Sequence, residues 1–250
     1  MRIPLEDNCD DIIGKACRGL RVRPPTGPYD EVGLRQLAVT LGLGADALMA
    51  SYRQTWYPHD TDAINGFAMF TTPFGDMTVN SYVVFDPITR EAAAFDTGMD
   101  CAAMLAFGVN IRQIFLTHIH GDHVGDIDRL KQHTGARAFV SAREPLAGAE
   151  LFSDDREFQV GSLCVQSRRT SGHTRGGTSY VVTGLARRLV FTGDALFAGS
   201  MGGALVDYQE ALQTNRDNIF SLPAATVICP GHGPLTTVGE EQRRNPFFSP

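Results

Sequence analysis

Thr117-His118-Ile119-His120-Gly121-Asp122-His123 is the stretch of sequence that decides the fold of this chain. It places three imidazoles and one carboxylate within six residues, directly after the apolar segment 111–116. Metal sites for hydrolytic chemistry combine neutral nitrogen ligands with a hard oxygen ligand. Alternate side chains of an extended segment point the same way, so the first two histidines can reach one ion. The aspartate and the third histidine follow where the chain turns into a helix, and they can face a neighbouring metal position.

Composition and charge narrow the classes of function. The chain has 250 residues, of which 43% are hydrophobic and 20% charged. These are ordinary globular values, so we expect one main domain with an accessory segment. The net charge of −6 argues against a general nucleic-acid surface. No apolar run is long enough to span a bilayer, so the partner we expect is a small molecule and not a membrane.

The cysteines and the first residues predict a cytoplasmic protein. The five cysteines are odd in number, scattered and without metal-type spacing, which fits buried thiols in a reducing compartment. Cys229 stands close to His232, but its place at the end of an apolar run favours core packing over ligation. Arg2, Glu6 and Asp7 stand among the first residues, so no signal peptide is visible.

Two regions of different pattern meet near residue 60. Residues 1–60 are predicted to be a helical N-terminal segment, with helices over 11–20, 31–41 and 46–52. Residues 61–250 begin with β-rich runs over 67–72, 77–85 and 91–95, separated by turn signals. Strands then alternate with helices, which predicts sheets covered by helices in a layered α/β arrangement.

Further ligand-type residues stand at the ends of strand-like runs in the second half. Ser171-Gly172-His173-Thr174 follows the run 163–170, Phe191-Thr192-Gly193-Asp194 closes 188–190, and Pro230-Gly231-His232-Gly233 closes 227–228. A glycine beside each candidate permits a tight turn and a close approach of the backbone. Their shared placement, together with the opening cluster, favours ligands over isolated structural residues.

The combined set resembles the signature of the metallo-β-lactamase superfamily. It consists of His118-x-His120-x-Asp122-His123 followed by His173, Asp194 and His232. The resemblance covers roughly residues 66–250. It implies an αββα four-layer sandwich with a dinuclear metal site along one edge, preceded here by a small N-terminal helical extension. Phe95-Asp96-Thr97-Gly98 also matches an early motif of the family, in which Asp96 would orient metal ligands by hydrogen bonds.

The resemblance also implies a ligand set. The first ion would be held by His118, His120 and His173, the second by Asp122, His123 and His232, and Asp194 would bridge the pair. The ions would be zinc, with iron and manganese as alternatives that the same ligands suit. Two such ions can share a bridging hydroxide that is available at neutral pH, and Asp122 would also orient its attack. The reaction class is metal-assisted hydrolysis of an acyl or related ester bond.

Within the superfamily, the motifs most resemble short bacterial hydroxyacylglutathione hydrolases, the glyoxalase II-like thioesterases. The resemblance rests on 192–202 and on the ending 230–247, and it implies a thioester substrate. Gly203 departs from the pattern, because the family usually has Arg or Lys there to bind a glutathione carboxylate. Candidate substrate-binding replacements are Arg175, Arg243 and Arg244, and Tyr208 is a candidate to line the pocket.

Two other functions stay open from the residues alone. A persulfide dioxygenase of the same superfamily would use one iron held by His118, His173 and Asp194 and leave the second position empty. Residues 33–48 resemble the core of a helix-turn-helix, which would make the chain a sensor that couples its metal domain to DNA. The alternative for these helices is an extension that packs on the catalytic domain or forms a homodimer contact.

Overall fold

Two six-stranded β-sheets form the centre of the protein, in a computed structural model that describes residues 3–25, 29–59, 62–153 and 155–249. The first sheet has the order β1-β2-β3-β4-β5-β6 and the second the order β12-β11-β10-β9-β8-β7. The strands are β1 (Phe67–Phe74), β2 (Met77–Phe85), β3 (Glu91–Phe95), β4 (Asn110–Phe115), β5 (Arg137–Ser141), β6 (Glu150–Phe152), β7 (Glu157–Val160), β8 (Leu163–Arg169), β9 (Thr178–Thr183), β10 (Leu189–Gly193), β11 (Val227–Pro230) and β12 (Thr236–Thr237). The helices within the described residues are α1 (Cys9–Leu20), α2 (Glu31–Leu41), α3 (Ala45–Tyr52), α4 (Ala102–Ala106), α5 (Gly121–Val124), α6 (Ile127–Thr134), α7 (Tyr208–Asn218) and α8 (Val238–Arg244).

The central strands bury both of their faces, which explains why the two sheets are covered on their outer sides as well. In β2, Tyr82 and Val84 join the core between the sheets, whereas Val83 and Phe85 join a second core on the outer side of the first sheet. Alternate side chains of a strand point to opposite faces, so an apolar run of this kind needs cover on both sides. Helix residues Met104 and Leu130 supply that cover.

The second sheet is covered in the same way. Val181, Val190 and Ile228 pack on its outer side against Ile219 and Leu222, which follow α7. Between the sheets, Phe95 of β3 and Phe191 of β10 stack with ring centroids 3.8 Å apart. The layers therefore run helix, sheet, sheet, helix, and the predicted αββα sandwich is confirmed. None of the described helices is long and apolar enough to cross a membrane.

The N-terminal helices α1, α2 and α3 share a hydrophobic core with α7 and with the segment that follows α8. Ile12 and Leu34 are buried in one cluster with Tyr208, Leu212 and Phe247. The amide of Gly44, which precedes α3, donates to the carbonyl of Pro246. The N-terminal helices therefore pack on α7 and on the segment that follows α8. The predicted boundary between residues 60 and 61 lies outside the described residues.

Helices α2 and α3 have the two-helix arrangement that the sequence predicts. Gly42 ends α2 in the left-handed conformation with φ 68°, which allows the tight turn into α3. Within this pair Arg35 binds Asp46 and Arg53 binds Glu31, so carboxylates offset both arginines. Binding of this segment to DNA stays a prediction, and a gel shift with the whole chain at low salt tests it.

Candidate metal centre

The candidate centre lies at one edge of the sandwich, where the carboxyl ends of strands from both sheets meet. The first sheet contributes the loop after β4, which carries the opening cluster, and the second contributes the loops after β8, β10 and β11. Strands β3 and β4 are parallel, and so are β10 and β11. Loops at the carboxyl ends of parallel strands converge on one side of a sheet, which is the usual place for a ligand site in α/β proteins.

Seven side chains from these loops form two neighbouring groups. In the first group one ligand atom from each of His118, His120, His173 and Asp194 lies within 4.8 Å of the others. In the second group Asp122, His123 and His232 meet the same limit. The structure therefore brings together all seven predicted ligands, with Asp194, the predicted bridge, falling in the first group.

Asp194 lies between the two groups and turns one oxygen toward each. Its Oδ2 atom is 3.5 Å from Nε2 of His173 and 4.0 Å from Nε2 of His118. Its Oδ1 atom is 3.1 Å from Nε2 of His123 and 3.5 Å from Nε2 of His232. A carboxylate placed in this way can bind two ions at once, one through each oxygen.

Hydrogen bonds to the far side of the rings orient three of the histidines. His173 contacts the carbonyl of Gly203 through Nδ1 at 2.6 Å, and His232 contacts the carbonyl of Thr78 through Nδ1 at 2.7 Å. A carbonyl can only accept, so each Nδ1 carries the proton and Nε2 is left to bind a metal. His123 Nδ1 likewise faces the carboxylate of Asp96.

Asp96 contacts both His123 and the residue that precedes His118. Its Oδ1 accepts from the amide of Thr117 at 2.8 Å, and its Oδ2 accepts from the Thr117 hydroxyl at 2.8 Å and faces His123 Nδ1 at 2.8 Å. The backbone of Asp96 has φ 55°, in the left-handed region that few residues adopt. The buried carboxylate of Asp96 thus links Thr117, which follows β4, to the candidate ligand His123.

Neutral imidazole and ionised carboxylate groups in the centre favour the binding of a cation. Burial and the charge of His123 lower the pKa of His118, which keeps that ring neutral. Burial opposes charge on His123 and His232, yet nearby carboxylates outweigh it and raise their pKa values to about 10 and about 11. Burial would raise the pKa of Asp194, but His123 and its other histidine neighbours hold it well below the usual range.

Unsatisfied buried atoms show that the residues fit a metal. Among the described residues, His118 Nε2, His123 Nε2 and Asp194 Oδ1 are buried without a hydrogen-bond partner of good geometry. Burying such atoms is costly, and native proteins rarely leave them unpaired. A divalent ion at each group would satisfy these atoms and replace the protons on His123 and His232. The cluster is therefore suited to binding metal ions.

One of the four predicted substrate residues lies beside the centre. Arg175 lines a cavity of about 410 Å³ together with His120, His173, Leu205 and Val206, and we call it the Arg175 cavity. Leu205 is 71% exposed and Val206 48% exposed, so an apolar surface borders the two histidines. Among the described residues, Arg175 has no hydrogen-bond or ion-pair partner and is exposed.

None of the other three predicted substrate residues lines the Arg175 cavity. Tyr208 is buried in the core that α7 shares with α1, and a Cβ on Gly19 would touch its ring at 2.3 Å. The expectation that Tyr208 lines the pocket is not met, because the ring fills this helix interface instead. Arg243 and Arg244 are both exposed on α8, and Arg244 lines a different cavity of about 430 Å³.

Two supporting elements of the centre carry no recognisable signal in the sequence. Glu144 accepts from the amides of Ile119 and Gly176, so it connects the loop of the opening cluster with the loop that carries His173. The N-terminal residues 3–8, which we call the strap, pass next to His232 through the contact of Gly233 with Glu6 and Pro4. No periodic pattern marks either feature, because the contacts of Glu144 and of the strap are with residues that are distant in the sequence.

Comparison with known proteins agrees with this geometry. The family model of the metallo-beta-lactamase superfamily matches residues 74–232. Hydroxyacylglutathione hydrolase GloC of Haemophilus influenzae is 29% identical over 189 residues, which are 64% of this chain and 88% of that protein. Helices α1, α2 and α3 lie outside the residues matched by the family model.

Solved structures share the fold. The crystal structure of ETHE1 from Myxococcus xanthus superposes with a TM-score of 0.63 at 25% identity, covering 72% of this chain and 83% of that one. The crystal structure of TTHA1623 in a di-iron-bound form superposes with a TM-score of 0.59 at 27% identity, covering 71% of this chain and 99% of that one.

Proposed function

Because the chain belongs to the metallo-beta-lactamase superfamily, we propose that it is a hydrolase with two metal ions that cleaves a thioester or a related ester. The observation that carries this proposal is the position of Asp194, which turns one oxygen to each of the two groups of histidines. The similarity to the hydroxyacylglutathione hydrolase GloC supports the choice of a thioester. Zinc is the ion that we propose first, with iron and manganese as the alternatives.

The side chains would divide the work of holding the ions. His118, His120 and His173 would hold one ion, Asp122, His123 and His232 the other, and Asp194 would bridge the pair. When bound, the ions supply a nucleophilic water at neutral pH and polarise the acyl carbonyl. In the overall reaction, the oxygen of water bonds to the acyl carbon, the carbon–sulfur bond breaks, and the thiol leaves with a proton.

Asp122 would have a second role as the residue that orients the attacking water. Its Oδ2 lies 3.3 Å from His232 Nε2 and 3.7 Å from His123 Nε2, so the carboxylate stands inside the second group. Burial raises its pKa, but the hydrogen bond from His232 and the charge of His123 outweigh burial and lower it. The group is therefore ionised at neutral pH and can accept a hydrogen bond from water.

The Arg175 cavity is the part of the surface that we assign to the acyl half of the substrate. It adjoins His120 and His173, and its volume of about 410 Å³ is in the range of small-molecule sites. Leu205 and Val206 would contact the apolar part of an acyl group. Arg175 would bind a carboxylate or hydroxyl on the acyl chain, since a guanidinium offers paired donors.

The test is a panel of thioesters and lactones assayed on protein of defined metal content. We expect two metal ions per chain, release of free thiol from thioesters, and no uptake of oxygen. One iron per chain with oxygen consumption in the presence of a persulfide would instead identify the mononuclear dioxygenase. Fully loaded protein that hydrolyses neither the thioesters nor the lactones of the panel would refute the proposed function.

A further inference from the structure

The strap packs against the loop that carries His232. A Cβ atom on Gly233 would lie 3.4 Å from the amide nitrogen of Glu6 and 3.6 Å from the carbonyl oxygen of Pro4. A methyl group at Gly233 would therefore just touch the strap, so the strap backbone passes close to the residue that follows a candidate ligand. Part of the N-terminal extension is thus a neighbour of the metal centre.

Contacts at both ends hold the strap in place. Tyr57 donates its hydroxyl to the carbonyl of Ile3 at 2.7 Å. The carboxylate of Asp7 binds the hydroxyl of Ser200 and the ammonium of Lys15, and Lys15 also donates to the carbonyl of Met201 at 2.8 Å. Ser200 and Met201 belong to the segment that follows Asp194. The strap is therefore fixed to the same segment that positions the bridging carboxylate.

The strap forms one wall of an acidic cavity beside the centre. This strap cavity has a volume of about 390 Å³ and is also bordered by the β1–β2 turn and by Gly233. Thr78, whose carbonyl orients His232, is on its wall. Its described lining includes no lysine or arginine, and its carboxylates are those of Glu6, Asp7, Asp11 and Asp76.

Glu6 is the carboxylate of this wall that is both partly buried and, within the part of the chain that the structure describes, unpaired, since Asp11 and Asp76 are exposed. It is half-buried, and among the described residues it has no hydrogen-bond or ion-pair partner, whereas Asp7 is paired with Lys15. Burial raises the pKa of Glu6, and the positive charge of His232 opposes that rise. The backbone of Glu6 passes close to Gly233, so this residue lies near the loop that carries His232.

We propose that Glu6 determines the charge specificity of the centre, favouring substrates whose arm in the strap cavity is cationic and rejecting anionic arms. The inference rests on the proposed function, with the strap cavity receiving the thiol half of the ester. An unpaired charge at the wall of a partly desolvated cavity discriminates by attraction and by repulsion. The strap lies outside residues 74–232, so this selectivity belongs to the N-terminal extension of this chain.

The test compares three acetyl thioesters that differ in the charge of the thiol: acetylthiocholine (cationic), the N-acetylcysteamine ester (neutral) and the 3-mercaptopropionate ester (anionic). The kcat/KM of each is measured on metal-loaded protein. Equilibrium binding of the S-ethyl ethers of the same thiols, which cannot be hydrolysed, is measured beside it. We expect the wild-type protein to favour the cation, and Glu6→Gln to lower the cation-to-anion ratio roughly tenfold in both assays.

Two matched variants separate charge from shape. Glu6→Asp should keep the preference for the cation, and Glu157→Gln, which removes an exposed carboxylate on β7, should leave all ratios unchanged. A cation-to-anion ratio that is the same in wild type and in Glu6→Gln, in kinetics and in binding, would overturn the role of Glu6 and leave the proposed function untouched. Charge-selective binding of the ethers, with no turnover of any thioester or lactone of the panel, would instead refute the proposed function and leave the role of Glu6 standing.

Discussion

The carboxylate of Asp96 faces Nδ1 of His123 at 2.8 Å, so that the opposite nitrogen of the ring points into the centre. Nε2 of the same ring lies 3.1 Å from Asp194. The chain of contacts therefore runs from the end of β3, through one buried carboxylate, to the bridging residue of the candidate site.

Asp96→Asn should weaken metal binding without removing a ligand. The amide has no charge to hold the His123 ring, and loss of such an orienting group typically costs about 10–100-fold in metal affinity. Asn tolerates a positive φ, so the strained backbone at φ 55° stays accessible and the change tests the side chain alone. Competition with a metal chelator gives the affinity.

Asp86→Asn is the control for this variant. It removes another buried carboxylate that accepts hydrogen bonds from backbone amides. A metal affinity of Asp96→Asn equal to that of wild type would contradict the orienting role of Asp96.

Asp194→Asn should reduce the metal content below two ions per chain and lower kcat/KM by more than about a hundredfold. The reason is that the neutral amide cannot bridge two cations, and the metal contribution to such reactions amounts to several kcal/mol. Elemental analysis of dialysed protein and the thioester assay give the two values. Full metal content with full turnover would show that Asp194 is not the bridge.

Gly231→Ala should damage the centre, although it changes no candidate ligand. A Cβ at this position would lie 2.4 Å from Asp194 Oδ1 and 2.6 Å from His123 Cε1, which is closer than packed atoms come. The bridging carboxylate must move, so metal content should fall together with activity. Gly203→Ala is the matched control, because its Cβ would meet nothing nearer than Leu205 Cδ2 at 3.7 Å. Equal metal content in the two alanine variants would refute this account.

Glu241→Gln should change how the stability depends on pH. Burial raises the pKa of Glu241 from 4.5 to about 7, against the opposing hydrogen bond from Thr236. The folded protein therefore holds a proton that the unfolded chain has released, so stability is greatest below pH 4.5 and falls as the pH rises toward 7. The integrated loss is roughly 3 kcal/mol.

Glutamine cannot titrate, so the variant should lose this slope. Urea unfolding at pH 4.5, 6 and 8 measures it, with Glu157→Gln as an exposed control. The free energy of unfolding of Glu241→Gln relative to wild type should rise from the lowest to the highest pH. A difference that stays constant across that range would show that folding does not raise the pKa of Glu241.

The ligand groups and the strands were predictable because their signals are local. The bounds of β2 and β3 match the predicted segments 77–85 and 91–95, since both strands are short apolar runs that end at turn residues. His173, Asp194 and His232 each follow such a run beside a glycine, so their convergence at one edge follows from parallel strands.

Tyr208 and the strap were not predictable because their positions depend on packing partners that are distant in the sequence. A tyrosine at the start of an amphipathic helix faces inward, but the pattern does not say whether it meets a substrate or another helix. Here α1 covers it. The strap has no periodicity at all, and its path is set by Asp7, which reaches Ser200 far along the chain.

The spacing of the ligands along the polypeptide has a consequence for biosynthesis. Translation proceeds from the amino terminus, so the group formed by His118, His120, His173 and Asp194 is complete while β11 has still to be made. The other group needs His232. The nascent chain thus contains every residue of the first group before it contains the last residue of the second, which is the histidine beside the strap.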